Sequence, residues 1–561
     1  MKSFGKLVKN ELIKIFAQTA YKVLLFVMMG LFLLIPLINL GLTELVESEL
    51  FWTPEGIGDQ IEDYEYMAKN NDNIVDKQYY QTKAAVLMFY KDNGMDVDSW
   101  QYNTTFASYD EYSLIESVYS LLANEEITIE EAKSSRFNSY LMDEVSDTSY
   151  TLIFEYAREE RLELEQVILS SDISDFYQKT YDTYSEYKSS CEAQLGALKA
   201  EGLFDETAKY EASILEAEIK ATDNTLNILK HMIKIKAEYL GWEYYSLSAA
   251  NTMISEIDLI EPPVTENEFN SSSFYYDEYD NYNSYIELWE EELQLKLDVA
   301  MVLEYSVLND IPTQSVQVSS SKSVLTTTIT SNIQYVMYFA IVLAAIIVAK
   351  EFSSGTARLL FIRPHSRSKI LLSKYVTVMI LVAVLNIINV ILSFLFTIIF
   401  NGFGDIFASN LVVNNGVVEE TSAILSVILA VFLANFRVVL FVTIAFMMSA
   451  LCKKSALGIV VGLVSDLLFS TIYEVVALMS GMSALKYTPI AYYQMEGFVG
   501  SEIESVISQS FTMNILSSTN SMLQSATQDL NIWIGIGYFV LFMGVCIFAT
   551  FYPFRKQEIK N

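Results

Sequence analysis

The chain has 561 residues, of which 52% are apolar and 19% are charged, and its net charge is −33 at pH 7. Disordered polyelectrolytes have low hydrophobicity, so this composition excludes that class. A pI of about 4.4 argues against a nucleic-acid-binding protein, which needs a basic surface. The charge is distributed unevenly along the chain. Residues 46–325 hold 56 acidic and 18 basic residues, whereas the rest of the chain holds 13 acidic and 18 basic residues.

The first 20 residues predict an amphipathic helix. Apolar side chains share one side of a helical projection: Phe4, Leu7, Val8, Leu12, Ile15 and Phe16. Basic and amide side chains share the other: Lys2, Lys6, Lys9, Asn10 and Lys14. Such a helix lies along a membrane surface, so we expect residues 1–20 to form a cytoplasmic interfacial helix. The alternative is an ordinary basic flank of the first span.

Long apolar runs predict six transmembrane helices. The runs cover residues 21–43, 332–349, 375–400, 423–452, 456–480 and 532–553. Each has 18 or more residues, and a helix needs about 20 to cross the hydrocarbon layer. No small-x-small cleavage site follows the first run, so we interpret 21–45 as an uncleaved transmembrane helix.

Charge in the loops predicts the orientation of these helices. Basic residues are concentrated before the first run, in the connection 350–374, at Lys453 and Lys454, and at the C-terminus. The alternate loops are acidic. The positive-inside rule therefore predicts a multi-pass plasma-membrane protein with both termini in the cytoplasm. The acidic block 46–330 then lies outside the cell.

The sequence of the outer block predicts a helical structure. Residues 46–325 contain only six Gly and four Pro, and apolar residues recur at helical spacing between about 155 and 245 and again from 281 to 308. We expect long antiparallel helices in a bundle or coiled-coil stalk. The fold class is therefore an all-α membrane protein with six transmembrane helices and a large helical extracellular domain. Cys191 is the only cysteine of this block, which favours a bacterium with a single membrane and no reliance on oxidative folding.

Tyrosines are abundant in this block, as in FYYDEYDNYNSY at 274–285. They are compatible with a surface for an envelope partner or, as we prefer, with the packed faces of a large helical domain.

No catalytic constellation stands out. The sequence contains no G-x-x-x-x-G-K-[ST] or G-x-S-x-G motif, and its two histidines, His231 and His365, are far apart. Without a cluster of Cys and His, a zinc site is not expected. We therefore expect no enzyme activity and no catalytic residue, cofactor or metal ion in this chain.

Three charged residues fall inside predicted spans. Arg437 lies in the fourth, and Asp466 and Glu474 lie in the fifth. Counted from the turn between the two helices, each acid is displaced by about 6 Å along the axis from Arg437, within reach of its side chain. Unpaired charge is expensive in a membrane, so we expect an ion pair, with a role in a polar pathway or a switch as the alternative.

Two further features of the spans concern helix geometry. Gly458 and Gly462 form a G-x-x-x-G spacing that predicts close helix packing in the fifth span. Pro36 should bend the first span, because it cannot donate to the carbonyl of Phe32.

The connection 350–374 combines positive charge with an apolar patch at 359–362, between Gly355 and Pro364. That combination suits docking to a soluble partner, and the alternative is a positive-inside loop with lipid-facing residues.

The pattern E-x-x-x-G-T-x-x-L-L-x-x-x-P-x-S-R-x-x-I-L-x-S-K-Y at 351–375 resembles the cytoplasmic loop of permease subunits of bacterial ATP-binding cassette exporters of the type-2 family. The segment K-N-E-L-I-K-I-F at 9–16 resembles their N-terminal elbow helix. The resemblance covers the membrane part, and the block 46–330 is not explained by it.

The resemblance implies a role for each of these segments. Two permease subunits, identical or related, would form a dimer, and separate ATPase subunits would bind ATP and Mg²⁺. The loop would couple to the ATPase through Glu351, Phe352, Gly355, Thr356, Arg358, Leu359, Leu360, Phe361 and Arg363. Residues 481–530 would form re-entrant helices on the outer side.

The expected function is export of an amphipathic substrate: a peptide, a lipid or a drug-like molecule. The alternative is a membrane-tethered sensor or interaction protein whose outer domain binds an envelope partner.

Overall fold

The computed structural model describes residues 2–50, 56–142, 149–201, 206–272, 281–312, 321–353, 366–403, 406–414, 416–480, 488–496 and 531–556. Helices dominate these residues. In chain order they are α1 (Lys2–Ala17), α2 (Thr19–Leu50), α3 (Ile57–Asn70), α4 (Ile74–Asp92), α5 (Trp100–Ala123), α6 (Ile129–Lys133), a 3-10 helix (Arg136–Tyr140), α7 (Tyr150–Leu169), α8 (Ile173–Glu201), α9 (Glu206–Ile235), α10 (Trp242–Asp258), α11 (Glu266–Ser271), α12 (Tyr282–Leu308), α13 (Ser321–Ser353), α14 (Arg367–Asn401), α15 (Ala423–Cys452), α16 (Ser455–Ser480) and α17 (Ile532–Lys556).

Six of the described helices are long and apolar enough to cross a membrane. The candidate spans are Tyr21–Ile38, Val324–Lys350, Arg367–Asn401, Ala423–Cys452, Ser455–Tyr473 and Ile532–Pro553. They lie in α2, α13, α14, α15, α16 and α17, and each overlaps one of the predicted apolar runs. The prediction of a helical membrane protein with six such helices is therefore confirmed.

A β-hairpin separates α14 from α15, which the prediction of an all-α protein lacked. Strands Asn410–Asn414 and Val417–Thr421 pair antiparallel, with Leu411 opposite Glu420. Gly416 has φ of +74°, a conformation that glycine adopts without steric cost. The Asn and Gly residues between two Val-rich segments are the sequence signal for such a turn.

The chain divides into two compact units. The first comprises Met1–Asn39, Phe204–Asn224 and Ser248–Asn561, and the second comprises Leu40–Leu203 and Thr225–Leu247. Parts of the acidic block 46–330 thus belong to each unit.

Helix α13 is the central helix of the first unit. It is the most buried of the candidate spans, and its small and branched side chains, among them Val336, Ala340 and Ala344, are fully buried against α14, α15 and α16. Apolar burial of this kind, together with close helix contact, is what stabilises a helix bundle in lipid.

The second unit is a helical domain with its own apolar core. One cluster joins α3, α4, α5 and α7 through residues such as Leu87, Tyr90 and Ile168. The hydroxyl groups of Tyr90 and Thr105 are 2.8 Å apart, and burial raises the pKa of Tyr90. Tyr90, Tyr109 and Tyr119 of this unit are thus core residues, whereas Tyr66 and Tyr156 are exposed. Most of the tyrosine-rich stretch 274–285 lies outside the described residues.

Candidate functional site

The predicted ATPase-coupling residues lie outside the part of the chain whose side chains are described. Glu351 and Phe352 are in the last turn of α13, where only the backbone is described, and residues 354–365 are not described. The flanking helices α13 and α14 are described, and they fix where this loop leaves and re-enters the first unit. Most of the predicted re-entrant region 481–530 is also outside the described residues, except for 488–496.

A buried salt bridge joins α1 to the start of α14. Nζ of Lys374 is 2.9 Å from Oε2 of Glu11, and the two residues are 3% and 7% exposed. Lys374 also donates to the backbone carbonyl of Ile347 in α13, at 3.4 Å. Lys14 contacts the other carboxylate oxygen of Glu11 at 2.6 Å. One lysine therefore connects three helices at the end of the bundle that bears the loop.

Electrostatics favour the ionised form of Glu11 in this position. Burial would raise its pKa, but the positive charge of Lys374 and hydrogen bonds from Lys14 and Lys374 hold the pKa below its usual value. Burying a charge without a partner is costly, so the pair is stable only while α1 lies against α14.

A second polar cluster lies inside the helix bundle, around Arg437 of α15. Its Nη2 is 2.9 Å from Oε1 of Glu496, and its guanidinium carbon lies 4.8 Å from the centre of the Tyr493 ring. This corrects the predicted pairing of Arg437 with Asp466. The side chain of Glu474 lies outside the described residues, so its pairing stays a prediction.

Asp466 of α16 is held by neutral donors instead. The hydroxyl of Tyr493 donates to its Oδ1 at 2.8 Å, and Nε2 of Gln334 donates to its Oδ2 at 2.9 Å. The same nitrogen of Gln334 donates to the hydroxyl of Tyr338 at 2.6 Å. We call Arg437, Glu496, Asp466, Tyr493, Gln334 and Tyr338 the polar cluster.

The polar cluster depends on segment 488–496, which packs into the bundle. Its residues Ala491, Tyr492, Tyr493 and Met495 are buried. Gly535 of α17 permits this, because a Cβ at that position would lie 2.3 Å from Cδ1 of Tyr492. The pairing differs from the prediction because a third segment takes part in it. Segment 488–496, which follows α16 in the chain, brings Glu496 to Arg437, whereas the prediction compared only the positions of residues along α15 and α16.

Gly458 and Gly462 lie where α16 packs against its neighbours. A Cβ on Gly458 would be 2.8 Å from the carbonyl oxygen of Ala445, and one on Gly462 would be 2.8 Å from Cγ2 of Ile341. These distances fit the close approach that the G-x-x-x-G spacing predicts.

Several members of these two sites were not singled out from the sequence. Glu496 belongs to one of the acidic loops, and neither it nor Gln334, Tyr493 or the Glu11–Lys374 pair follows from the sequence pattern as a member of a site. A polar residue inside an apolar run, such as Gln334, was the available signal.

The chemistry of these sites is ionic and hydrogen-bonding. Among the described residues, no group of three or more His, Cys, Asp or Glu side chains is placed to hold a metal ion. What the geometry offers is a set of proton donors and acceptors inside the bundle and a charged joint at its end.

Comparison with known proteins gives limited matches. A family model described as "Protein of unknown function (DUF2705)" matches residues 312–559, which contain five of the six candidate spans. The chain is also similar to the uncharacterized protein YhcI of Bacillus subtilis (strain 168), with 39% identity over 123 residues. That match covers 22% of this chain and 39% of the relative's length. No solved structure matches the chain significantly.

Proposed function

We propose that this chain is the transmembrane permease subunit of an ATP-binding cassette transporter and exports an amphipathic peptide, lipid or drug-like molecule. Two permease subunits form the pathway, and separate ATPase subunits bind ATP and Mg²⁺. Both termini lie in the cytoplasm, and residues 46–330 lie outside the cell.

The salt bridge between Glu11 and Lys374 is the observation that carries this proposal. Glu11 belongs to the segment 9–16 and Lys374 to the pattern 351–375, the two segments whose sequences resemble type-2 permeases. A buried ion pair between them means that these segments act as one structural element. The six long apolar helices provide the bundle to which that element is attached.

The mechanism assigns a mechanical role to the loop between α13 and α14. ATP binding draws two ATPase subunits together, and the apolar patch at 359–362 is seated in a groove of one of them. Because α13 is central in the first unit and α14 is tied to α1 by Lys374, displacement of the loop moves these helices together.

A charge in the apolar patch tests the docking step. Leu360→Glu should abolish copurification of the ATPase from native membranes, because it buries an unpaired charge. Leu259→Glu is the matched control, since Leu259 is 77% exposed and far from the loop in sequence, and it should leave copurification intact. Normal copurification and coupled ATPase activity in Leu360→Glu would refute the docking assignment.

The bridge itself provides a second test. Lys374→Met leaves Glu11 buried and should weaken coupling of ATP hydrolysis to transport, and Glu11→Gln in the same chain should restore part of it. If no nucleotide-binding subunit accompanies the native chain at all, the sensor alternative replaces the transporter.

A further inference from the structure

An apolar groove lies beside the corner between α1 and α2. Among the described residues, its walls come from four helices of the first unit: the end of α1, the first turns of α2, and the middle of α13 and of α14. On α2 the lining residues Tyr21, Leu25 and Met29 recur at every fourth position, so they share one face of the helix. The cavity volume is about 200 Å³. We call this cavity the α1–α2 groove.

The α1–α2 groove is apolar along its length and positively charged at one end. Apart from Tyr21 and Lys22, the side chains that line it carry only carbon, hydrogen and sulfur. Lys22 is exposed and lies in the first turn of the candidate span Tyr21–Ile38. Lys350 is the last residue of the candidate span Val324–Lys350, and its ammonium group lies 5.9 Å from the centre of the Tyr21 ring. Both lysines therefore lie at the end of the groove that is nearest to the membrane surface.

The dimensions of the groove fit part of a lipid acyl chain. The helix rises about 12 Å from Tyr21 to Met29, and the hydrocarbon of one leaflet is about 15 Å deep. A dry apolar cavity of about 150 Å³ already holds benzene, so 200 Å³ accommodates a segment of hydrocarbon chain. Sites for drug-like molecules place polar groups among their apolar walls, whereas this groove has its polar groups at one end. A phospholipid has the same polarity, with a polar headgroup above an apolar chain.

The headgroup, and not the chain, decides which lipid binds. An acyl chain that moves from the bilayer into the groove gains little hydrophobic free energy, because lipid tails are as apolar as leucine. The ammonium groups of Lys22 and Lys350 attract negative charge instead. Basic pockets between transmembrane helices bind anionic headgroups for this reason.

We propose that the α1–α2 groove is a binding site for one phospholipid with an anionic headgroup. Its acyl chain lies against α2, α13 and α14, and its phosphate group faces Lys22 and Lys350. A lipid held there contacts all four helices and secures α1 to the bundle. It is a resident lipid and not the exported molecule, so this proposal does not depend on the transport function.

Native mass spectrometry of the purified full-length chain tests the headgroup preference. The two probes are dioleoyl phosphatidylglycerol and dioleoyl phosphatidylcholine, which have the same chains and differ in headgroup charge. The wild type should retain phosphatidylglycerol preferentially, and Lys22→Gln should reduce that preference by about fivefold, the effect of one lysine near an anionic membrane surface. Lys6→Gln is the matched control: it removes the same charge from an exposed position on α1 outside the groove, and it should leave the preference unchanged.

Photo-crosslinking locates the acyl chain. Phosphatidylglycerol with a diazirine on its chain should label the wild type at Leu25, Met29 and Leu343, which line the groove. Met29→Trp fills the groove and should reduce this labelling, whereas Val23→Trp, at an exposed position on α2 outside the groove, should not. Phosphatidylglycerol should also raise the thermal unfolding midpoint of the wild type more than that of Met29→Trp, because a ligand stabilises the state that binds it.

The measurements on the wild type keep the proposal falsifiable even if Met29→Trp does not fold. Equal retention of the two lipids by the wild type would overturn it. An equal loss of phosphatidylglycerol in Lys22→Gln and Lys6→Gln would also overturn it, since the preference would then reflect general surface charge. Labelling confined to residues outside the groove would show that another occupant, such as a second copy of the chain, covers the groove.

Discussion

The side-chain amide of Asn332 donates a hydrogen bond to the backbone carbonyl of Phe32, at 3.4 Å. Pro36 lies four residues after Phe32 within α2 and has no N–H to complete that turn of the helix. Asn332 and Phe32 are both fully buried. A residue of the second candidate span therefore satisfies the carbonyl that proline leaves free in the first, as a lipid environment requires.

The first prediction concerns this interspan hydrogen bond. Asn332→Val should destabilise the wild-type chain by about 1–3 kcal/mol, because it leaves the Phe32 carbonyl without a donor. In the Pro36→Ala variant the backbone N–H of residue 36 is able to donate to the Phe32 carbonyl. Asn332→Val should therefore destabilise this variant less than it destabilises the wild type. Some cost remains, since Asn332 also donates to Ser393. Denaturant unfolding of the four variants in micelles measures the coupling, and equal costs in both backgrounds would contradict the assignment.

The second prediction concerns the glycines of α16. Gly458→Ala should destabilise the bundle by about 1–3 kcal/mol, because the new methyl group meets the Ala445 backbone and helices must separate. Gly544→Ala in α17 is the matched control: no atom lies within 4 Å of its Cβ position, and alanine favours a helix over glycine. Unfolding midpoints distinguish the two. Equal effects of both substitutions would show that α16 does not pack closely.

The elements that follow from local rules were predictable from the sequence. A helix that crosses hydrocarbon needs an uninterrupted apolar run, so six such helices could be counted directly. The helix expected at 281–308 is observed at Tyr282–Leu308, since its periodicity is local. The hairpin at 410–421 carried a local signal too, in its Asn and Gly between Val-rich segments, but its short strands lie between much longer apolar runs.

Tertiary pairings were not predictable in the same way. The partner of Arg437 depends on how segment 488–496 packs into the bundle. This packing requires the close approach of Tyr492 to Gly535, which the periodicity of the sequence does not predict. The same holds for Glu11 and Lys374. In the sequence they are separated by the first two candidate spans and the whole outer block. Sequence reasoning located the intramembrane charges, but only the fold identifies their partners.

The third prediction concerns the response of the second unit to acid. Asp172 accepts a hydrogen bond from Lys236 at 2.6 Å, and this contact, with the backbone N–H of Ser174, lowers the pKa of Asp172 from 3.8 to about 2. A lowered pKa in the folded state stabilises the protein above the unfolded value, and that stability is lost as pH falls from about 4 to about 2.

Lys236→Met should therefore move the acid unfolding transition of the second unit to higher pH, as followed by tyrosine fluorescence of the full chain. Lys234→Met removes the same charge from an exposed position on α9 and serves as the control. The difference should shrink in high salt, because both groups of the pair are solvent-exposed. Identical transitions for the two variants would mean that the pair does not influence acid stability.

The last prediction concerns the ion pair inside the bundle. Arg437→Gln should destabilise the first unit by about 3–5 kcal/mol, because it leaves Glu496 inside the bundle without its cation. Glu496→Gln should cost less, since Arg437 is then free to compensate Asp466. The double variant should be more stable than the sum of the single effects predicts, because neither partner of the pair remains charged.

A double-mutant cycle on thermal unfolding in nanodiscs measures these three variants against the wild type, with Arg437→Lys as the charge-conserving control. Lysine keeps the positive charge but loses the planar contact with the Tyr493 ring, so its cost should be smaller than that of glutamine. Strictly additive effects would show that Arg437 and Glu496 stabilise the bundle independently. A greater cost for Glu496→Gln than for Arg437→Gln would show that Asp466 is not within reach of the guanidinium.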